Sequence, residues 1–222
     1  MSFSGSNSAK YSRALILAGG RKPGNFFIKS AYRPGDLVIA ADSGAESALN
    51  AQIPIHVLLG DFDSISSEAL NKAASQCRES IAFSRDKDFS DLEASLDVCR
   101  KRGIAQALIL GGLGGRWDHS LFNIIAILQK AEEMGIDACL REESCEIMQL
   151  KNKSRLICGR SGSLLSLIAL DEQITADIKG VKWPLQDEII CRSSTRTLSN
   201  LITEEEASVR VSQGRAVLII TG

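Results

Sequence analysis

The 222-residue sequence has little of several features that define common protein classes. It carries only two histidines, and its 26 basic residues are balanced by 27 acidic ones, which leaves a net charge of −1. A balanced charge excludes the broad basic field of a general nucleic-acid binder and the polybasic signal of a membrane-surface protein. The sequence also has no apolar run long enough to span a bilayer. We therefore expect no nucleic-acid partner and no membrane association.

The N-terminus and the cysteines both point to a reducing compartment. The serine-rich start of the chain lacks the apolar segment of a secretory signal, so we interpret residues 1–12 as a disordered tail. The six cysteines include no Cys-x-x-Cys pair, and neither histidine is spaced to join them as a metal ligand. Most of them lie in apolar runs, which favours reduced, buried thiols. We expect a cytoplasmic protein.

Short apolar runs recur along the first two thirds of the chain, and most end in glycine or aspartate. Helical patterns lie between most of them, and this alternation predicts an α/β fold with a parallel sheet covered on both faces. Ser43 and Ser90, each three residues ahead of a glutamate, predict capped helices, and Asp118 can cap another. The runs are Ala14–Ala18, Leu37–Ala41, Val57–Leu59, Ser80–Ser84, Ala107–Leu110 and Ile136–Leu140.

The last third of the chain has a different pattern. After about Cys145 the helical periodicity disappears, and short β-rich runs separated by turn residues follow, a pattern typical of an all-β sandwich or barrel. We therefore predict an α/β domain over residues 1–145 and a smaller β-sandwich domain over residues 146–222. The β-rich runs are Ser163–Ala169, Glu188–Cys191, Ala207–Val211 and Ala216–Ile220.

The chemistry is concentrated in the stretch His56–Ser64, where a buried strand is predicted to end at Gly60. Asp61 and Asp63 follow with one residue between them, and alternate residues of an extended chain point the same way. Two adjacent carboxylates repel each other unless a cation lies between them. A hard cation with a preference for oxygen, such as Mg²⁺, is the natural occupant.

Other aspartates follow the neighbouring predicted strands. Ligands of open α/β sheets bind outside the carboxyl ends of the strands, so these aspartates are expected to meet in one crevice. Taken singly, each fits a solvated loop; as a set at one sheet edge they predict a site for a metal ion and phosphate. They are Asp42, Asp61, Asp63, Asp86, Asp88 and Asp91.

A glycine-rich loop, Gly111–His119, supplies the complementary positive charge. Its glycines allow backbone amides to approach a phosphate, and Arg116 can bind phosphate oxygens in bidentate fashion. The loop matches neither the Walker pattern nor a Rossmann fingerprint. His119 is either a general base or, more simply, a helix-start histidine that holds Asp118 or a phosphate. Lys87 either neutralises phosphate or pairs with its acidic neighbours.

Together these motifs resemble the thiamine pyrophosphokinase family. The matching segments are Gly60–Ser64, Asp86–Asp91 and Gly114–His119, with Ala41–Gly44 upstream. The resemblance extends from about Arg13 to the end of the chain. It implies an ATP-binding catalytic domain, a β-sandwich domain that binds thiamine, and a homodimer with thiamine near the interface. The implied reaction uses Mg²⁺ and transfers diphosphate from ATP to the hydroxyl of thiamine, releasing AMP.

The expected roles of individual residues follow from this resemblance and from their chemistry. The catalytic set is Asp61, Asp63, Asp91 and Arg116, and the three aspartates are also the expected magnesium ligands. Nucleotide binding is assigned to Asp42, Ser43, Gly60, Lys87, Gly111, Gly112, Gly114, Gly115, Asp118 and His119. Substrate binding is assigned to Asp88, Ser90, Trp183, Ser199 and Asn200.

Several of these assignments have simpler alternatives. Trp183 suits a flat cationic heterocycle, but it also fits an edge or core position of the β domain. Ser199 and Asn200 either hydrogen-bond a pyrimidine or end a strand. Asp91 or Asp88 accepts the hydroxyl proton. Ser43 and Ser90 stand where the family commonly has glycine and threonine, which leaves the fine substrate contacts open.

Three other functions remain open at this stage. A pyrophosphokinase acting on a pterin alcohol would use the same kind of crevice. A haloacid-dehalogenase-like phosphatase also opens with a strand followed by Asp-x-Asp, although that family usually has threonine or valine where Ser64 stands. A sensor of thiamine or nucleotide would leave the acidic cluster idle.

Overall fold

The computed structural model describes residues 11–222, so most of the tail predicted for residues 1–12 lies outside the described residues. The chain divides into two compact units. One runs to Asn123 and includes Lys130–Ala138; the other comprises Ile124–Gln129 and Cys139–Gly222. The predicted domain boundary between residues 145 and 146 stays a prediction.

The first unit contains a parallel five-stranded sheet in the order β4-β3-β2-β1-β5. The central strands are almost entirely buried, as expected when helices cover both faces. The predicted α/β architecture is therefore confirmed. The strands are β1 (Arg13–Leu17), β2 (Asp36–Ala41), β3 (Val57–Gly60), β4 (Glu79–Ala82) and β5 (Gln106–Leu110).

Helices connect these strands. The helix after β5 continues through a π-helical turn, Asn123–Ile127, which marks an extra residue in the helical ladder. In the part of the chain that the structure describes, no helix is both long enough and apolar enough to cross a bilayer. The helices are α1 (Asn25–Ala31), α2 (Gly44–Asn50), α3 (Ser67–Gln76), α4 (Asp91–Lys101), α5 (Trp117–Phe122) and α6 (Leu128–Glu133).

The two predicted capping boxes have different outcomes. Ser90 caps α4, because its hydroxyl accepts the backbone N–H of Glu93 at 3.2 Å. Ser43 precedes α2, but its side chain makes no capping bond within the described residues. Its backbone already has helical angles (φ −63°, ψ −9°), whereas a capping residue is extended, and Glu46 binds Lys22 at 2.6 Å instead. The predicted capping box at Ser43 is therefore wrong.

A buried ion pair connects the start of the sheet to its first helix. Asp36 is 1% exposed, and the Arg13 guanidinium donates to both of its carboxylate oxygens, at 3.0 and 2.6 Å. The same guanidinium donates to the carbonyl of Ala31 at 2.7 Å, and the N–H of Arg33 donates to Asp36 at 2.8 Å. Because the buried carboxylate is surrounded by donors, it can stay charged.

Apart from the short helical segment Ile124–Gln129, the second unit consists of β-strands and their connections, which confirms the predicted β-rich domain. Its long last strand, β12, pairs antiparallel with β7 along nearly its whole length, with β9 over its first half and with β8 over its second half. Buried aliphatic side chains from these strands form its core. The strands are β7 (Cys145–Cys158), β8 (Leu164–Ala169), β9 (Gln173–Lys179), β10 (Leu185–Cys191), β11 (Asn200–Leu201) and β12 (Glu206–Thr221); β6 (Asp137–Arg141) begins in the first unit and ends in the second.

One strand prediction in this unit needs correction. The runs Ala207–Val211 and Ala216–Ile220 were predicted as two strands separated by a turn, but they are two parts of β12. The chain continues in the same direction because the residues between them form an irregularity in the ladder, with Gly214 at φ +81°. A bulge and a turn use the same small, polar residues, so the sequence pattern does not separate them.

Candidate active site

A cleft of about 950 Å³ opens in the first unit, where strands of the parallel sheet end. Four of the six aspartates that follow predicted strands lie in its wall, and so does the glycine-rich loop. The lining also contains basic side chains, which makes the cleft suited to an anionic ligand that carries a cation. Expected site residues in the wall are Asp42, Asp61, Asp63, Lys87, Ser90, Asp91, Gly111, Gly112, Gly114, Gly115, Arg116 and His119.

Asp42 enters the cleft from the end of β2 through an unusual backbone conformation. Its φ of +48° lies in the left-handed region, which aspartate tolerates better than most residues. Its Oδ1 atom accepts the N–H of Phe62 at 3.3 Å. A Cβ atom on Gly60, at φ +145°, would lie 1.9 Å from the same oxygen. Gly60 is therefore required so that the carboxylate of Asp42 can cross the end of β3.

Asp61 and Asp63 do not lie on an extended chain, as their spacing suggested. Phe62 between them has φ +62°, and the N–H of Asp63 donates to Oδ1 of Asp61 at 3.1 Å. This local turn holds the pKa of Asp61 below its usual value, mainly through that hydrogen bond. Asp63 instead forms an ion pair with Arg85 at 2.7 Å. The extended conformation assumed for this pair is therefore wrong, but both carboxylates line the same cleft, as predicted.

The carboxyl of Asp42 interacts with that of Asp91, the first residue of α4. In its protonated form Asp42 donates a hydrogen bond to the Asp91 carboxylate. Burial, this hydrogen bond and the negative charge of Asp91 together raise the pKa of Asp42 to about 7, and Asp61 adds a smaller effect. Asp42 therefore keeps its proton to a higher pH than an ordinary aspartate, at a position where a bound cation would favour its ionised form.

These carboxyls fit a divalent cation, but not as a complete protein cage. Within residues 11–222, no three histidine, cysteine or acidic side chains are grouped closely enough to hold a metal ion by themselves. Mg²⁺ in phosphate-transfer sites commonly uses one or two carboxylates and takes its other ligands from water and substrate phosphates. The pair Asp42 and Asp91 matches that incomplete donor set.

Lys87 is the most firmly held cation of the cleft. Its ammonium group binds Oδ1 of Asp91 at 2.6 Å, and its side chain is only 11% exposed. It also lies 5.2 Å from the ring centroid of Phe83 and 5.9 Å from that of Phe89. Lys87 thus pairs with a carboxylate, but the partner is Asp91, four residues further along the chain, rather than its immediate neighbours, and the ammonium still borders the cleft.

Arg116 and Asp118 form a bidentate ion pair at the mouth of the cleft. The guanidinium donates to both carboxylate oxygens, at 3.1 and 2.5 Å, and lowers the pKa of Asp118 to about 2. Both side chains are more than half exposed. The prediction that Asp118 caps α5 is wrong, because the helix begins at Trp117 and the cap position belongs to Arg116. Asp118 lies inside the first turn.

A second glycine-containing loop, at the end of β1, also lines the cleft, although none of its residues was among the expected site residues. The N–H of Gly20 donates to the carbonyl of Gly111 at 2.8 Å, and the N–H of Arg21 donates to Leu113 at the same distance. A Cβ on Gly20 would lie 2.6 Å from the Gly111 carbonyl. The Gly19–Gly20 pair after the first strand was a usable signal, because it follows a strand as the other site residues do. Arg21 had no such signal.

Other expected residues lie elsewhere. Ser43, Gly60 and Asp118 are not among the residues that line the cleft in the described part of the chain, although Gly60 makes room for Asp42. Asp86 and Asp88 line a smaller pocket of about 490 Å³ together with Lys87 and both neighbouring phenylalanines. The predicted meeting of the strand-end aspartates therefore applies to four of the six.

In the second unit, Trp183, Ser199 and Asn200 are brought close together. Asn200 is buried; its Oδ1 accepts the N–H of Trp183 at 3.1 Å, and its Nδ2 donates to the Trp183 carbonyl at 2.7 Å. The indole ring is 55% exposed, and the ammonium of Lys182 lies 4.8 Å from its centroid. Ser199 has φ +56°, and its N–H donates to Ser166 at 2.9 Å. The Asn200 amide thus positions the tryptophan backbone.

A parallel α/β unit with an acidic, glycine-lined cleft at the strand ends, joined to a β unit, is typical of an enzyme that binds phosphorylated ligands. Two family models identify it further. The thiamin pyrophosphokinase catalytic domain matches residues 28–140, and the thiamin pyrophosphokinase vitamin B1 binding domain matches residues 148–218. The chain belongs to the thiamin pyrophosphokinase family, which confirms the resemblance seen in its motifs.

Individual relatives agree with this assignment. The chain is 26% identical over 185 residues to thiamine pyrophosphokinase of Bacillus subtilis, a match that covers 82% of this chain and 86% of the relative. A crystal structure of a Bacillus subtilis thiamine pyrophosphokinase superimposes with a TM-score of 0.86 at 26% identity, covering 95% and 99% of the two chains. Thiamin pyrophosphokinase from Candida albicans shares the fold, with a TM-score of 0.78 at 15% identity over 96% and 90%. The pterin and phosphatase alternatives find no support in these matches.

Proposed function

We propose that this protein transfers the terminal diphosphate of ATP to the hydroxyl oxygen of thiamine, producing thiamine diphosphate and AMP. The proposal is supported by the match of both family domains in their expected order. The observation that carries it is the composition of the cleft. Carboxylates, cationic side chains and the glycine-rich loop border a single space large enough for a nucleotide.

The proposed magnesium ligands are Asp61, Asp63 and Asp91, and the structure adds Asp42 to this group. Support comes from the raised pKa of Asp42 beside Asp91, because a cation bound there would favour the ionised form of the Asp42 carboxyl. When bound, Mg²⁺ would neutralise charge on the ATP phosphates. The ion pair between Asp63 and Arg85 suggests a contribution from Asp63 through water or through the arginine.

The remaining steps concern charge and proton transfer. The thiamine oxygen forms a bond to the β-phosphorus, the bond from that phosphorus to the α,β-bridging oxygen breaks, and AMP leaves with the electron pair. Lys87, Arg116 and the amides of Gly111–Gly115 stabilise the charge that grows on the phosphoryl oxygens. The hydroxyl proton passes to a carboxylate. Asp91 is the better acceptor, because Asp88 lines the smaller pocket rather than the cleft.

The second unit supplies the proposed thiamine contacts. Trp183 is more than half exposed and already attracts the Lys182 ammonium, which suits it to a cationic heterocycle, and Asn200 fixes its backbone. Ser199 is proposed to contact the aminopyrimidine. Asn200 is less suited to that contact, because both polar atoms of its amide are already bonded to Trp183.

Assembly and location complete the proposal. We expect a homodimer with thiamine near the interface, since the second unit exposes apolar side chains that a second copy can cover. All six cysteines are free thiols, which agrees with a cytoplasmic location, but the expected burial is wrong for most of them: only Cys99 is buried, and Cys158 and Cys191 are exposed. Sedimentation equilibrium tests the dimer directly. The exposed apolar side chains of the second unit include Leu156, Leu164, Ile168, Trp183, Ile189 and Leu198.

The reaction is tested by incubating the purified protein with ATP, Mg²⁺ and thiamine and separating the products by chromatography. We expect AMP and thiamine diphosphate in equal amounts, and no AMP when thiamine is omitted. A pterin alcohol offered in place of thiamine should give no product. Formation of ADP or of free phosphate instead of AMP would contradict the proposal.

A further inference from the structure

An aromatic pair encloses the loop that carries Lys87. Phe83 follows β4 and Phe89 lies two residues before α4, and their rings meet edge to face with centroids 5.2 Å apart and an interplanar angle of 87°. The contact brings together the two ends of the segment between strand and helix. The ammonium group of Lys87 lies within 6 Å of both ring centroids.

Three carboxylates lie within four residues of Lys87 in the sequence. Asp86 and Asp88 are its chain neighbours and line the smaller pocket, whereas Asp91 lines the cleft. Lys87 and Phe89 line both spaces. A lysine side chain is long and flexible, so in a loop with several carboxylates it would spread over many positions.

The rings of Phe83 and Phe89 restrict the positions that the Lys87 side chain can adopt. The face of an aromatic ring attracts a cation, and the attraction grows when the cation is shielded from water, as the Lys87 ammonium is here. Together with the 2.6 Å bond to Asp91, which lines the cleft, the rings hold the ammonium at one position in the loop. A leucine side chain fills a similar volume but has no aromatic face that would attract the ammonium group. The aromatic character of both positions, and not only their size, therefore matters.

We propose that Phe83 and Phe89 are positioning residues that hold the Lys87 ammonium at the phosphate-binding part of the cleft. They act through Lys87, without contacting the transferred group themselves. This inference rests on the proposed function, because it assigns Lys87 to the phosphates of ATP. It also predicts an energetic coupling between each ring and Lys87 that a purely structural contact would not produce.

A double-mutant cycle tests the coupling. Phe89→Leu, Phe83→Leu, Lys87→Met and the corresponding double variants are compared for kcat, KM for ATP and equilibrium binding of ATP. We expect Phe89→Leu to lower kcat/KM about tenfold and to change the same kinetic constant as Lys87→Met. In the Lys87→Met background, Phe89→Leu should change kcat/KM by less than about twofold. Phe89→Tyr, which keeps the ring face, should restore nearly full activity.

The controls separate positioning from folding. Phe26→Leu removes an exposed ring away from the cleft and should leave every constant unchanged. Melting temperatures identify any variant that is destabilised; if Phe89→Leu unfolds, Phe89→Met replaces it. An equal loss with and without Lys87 would overturn the inference, and so would wild-type kinetics in both leucine variants. If the wild-type protein binds ATP but does not form thiamine diphosphate, the proposed function fails, and the coupling is then measured on ATP binding alone.

Discussion

Replacing Asp42 with asparagine should stabilise the metal-free protein at alkaline pH while it damages the active site. Asparagine keeps the shape of the side chain, tolerates the left-handed backbone at this position and can still accept the N–H of Phe62. It removes only the ionisable group. The variant therefore isolates the cost of placing a negative charge beside Asp91.

The direction of the pH dependence of stability follows from the raised pKa of Asp42. This pKa is about 7 in the folded protein, compared with an ordinary value of 3.8. The folded state holds a proton that the unfolded state has lost, so stability falls as pH rises from the unfolded pKa through the folded one. The whole shift corresponds to a ceiling of about 4 kcal/mol, and more than half of it falls between about pH 5 and pH 8. Asp42 is partly exposed, and solvent screening reduces that figure to about 1 kcal/mol.

The assay is thermal unfolding followed by circular dichroism in the presence of a chelator. We expect the stability advantage of Asp42→Asn over wild type to be greater by about 1 kcal/mol at about pH 8 than at about pH 5, or a few degrees in Tm. Adding Mg²⁺ at the higher pH should stabilise the wild type more than the variant. The reasoning would be refuted by an advantage that is equal at both pH values, or by one that shrinks as pH rises.

Three further substitutions test other parts of the structure. Arg13→Met leaves Asp36 buried and without its guanidinium, so unfolding in urea should show a loss of about 3–5 kcal/mol, whereas a loss under 1 kcal/mol would contradict the buried pair. Gly60→Ala should lower kcat/KM by about 100-fold or more, because the new methyl group displaces the carboxylate of Asp42; wild-type kinetics would refute this. Asp63→Asn should nearly abolish thiamine diphosphate formation while the circular dichroism spectrum and Tm stay close to wild type, and an active variant would exclude Asp63 from the mechanism.

Much of the fold was predictable because buried parallel strands leave a recognisable pattern in the sequence. Buried apolar runs closed by glycine or aspartate marked the ends of the strands, and the topology of an open sheet brings those ends to one edge. The position of Asp42, Asp61 and Asp91 in one cleft follows from that rule. The cap at Ser90 was also predictable, since it depends only on residues a few positions apart.

The features of the site that were not predicted from the sequence depend on tertiary contacts or on local backbone geometry. The hydrogen bond between Asp42 and Asp91 joins residues from different strand ends, and no spacing encodes it. Asp118 was predicted as a cap, but a neighbouring arginine bound its carboxylate instead. The turn at Phe62 needed a left-handed conformation that its residue type disfavours. In each case a specific contact or a local backbone conformation overrode the general residue preference on which the prediction was based.

At position 183, the side-chain amide of Asn200 anchors the backbone, so the indole side chain is left for other contacts. Because the N–H and carbonyl of Trp183 are both bound by the Asn200 side chain, the anchoring of this backbone owes nothing to the indole. The residue at position 183 can therefore change without loosening the chain. Selection can explore different ring sizes and polarities there while the fold stays the same, which makes this position a natural starting point for evolving acceptance of altered heterocycles.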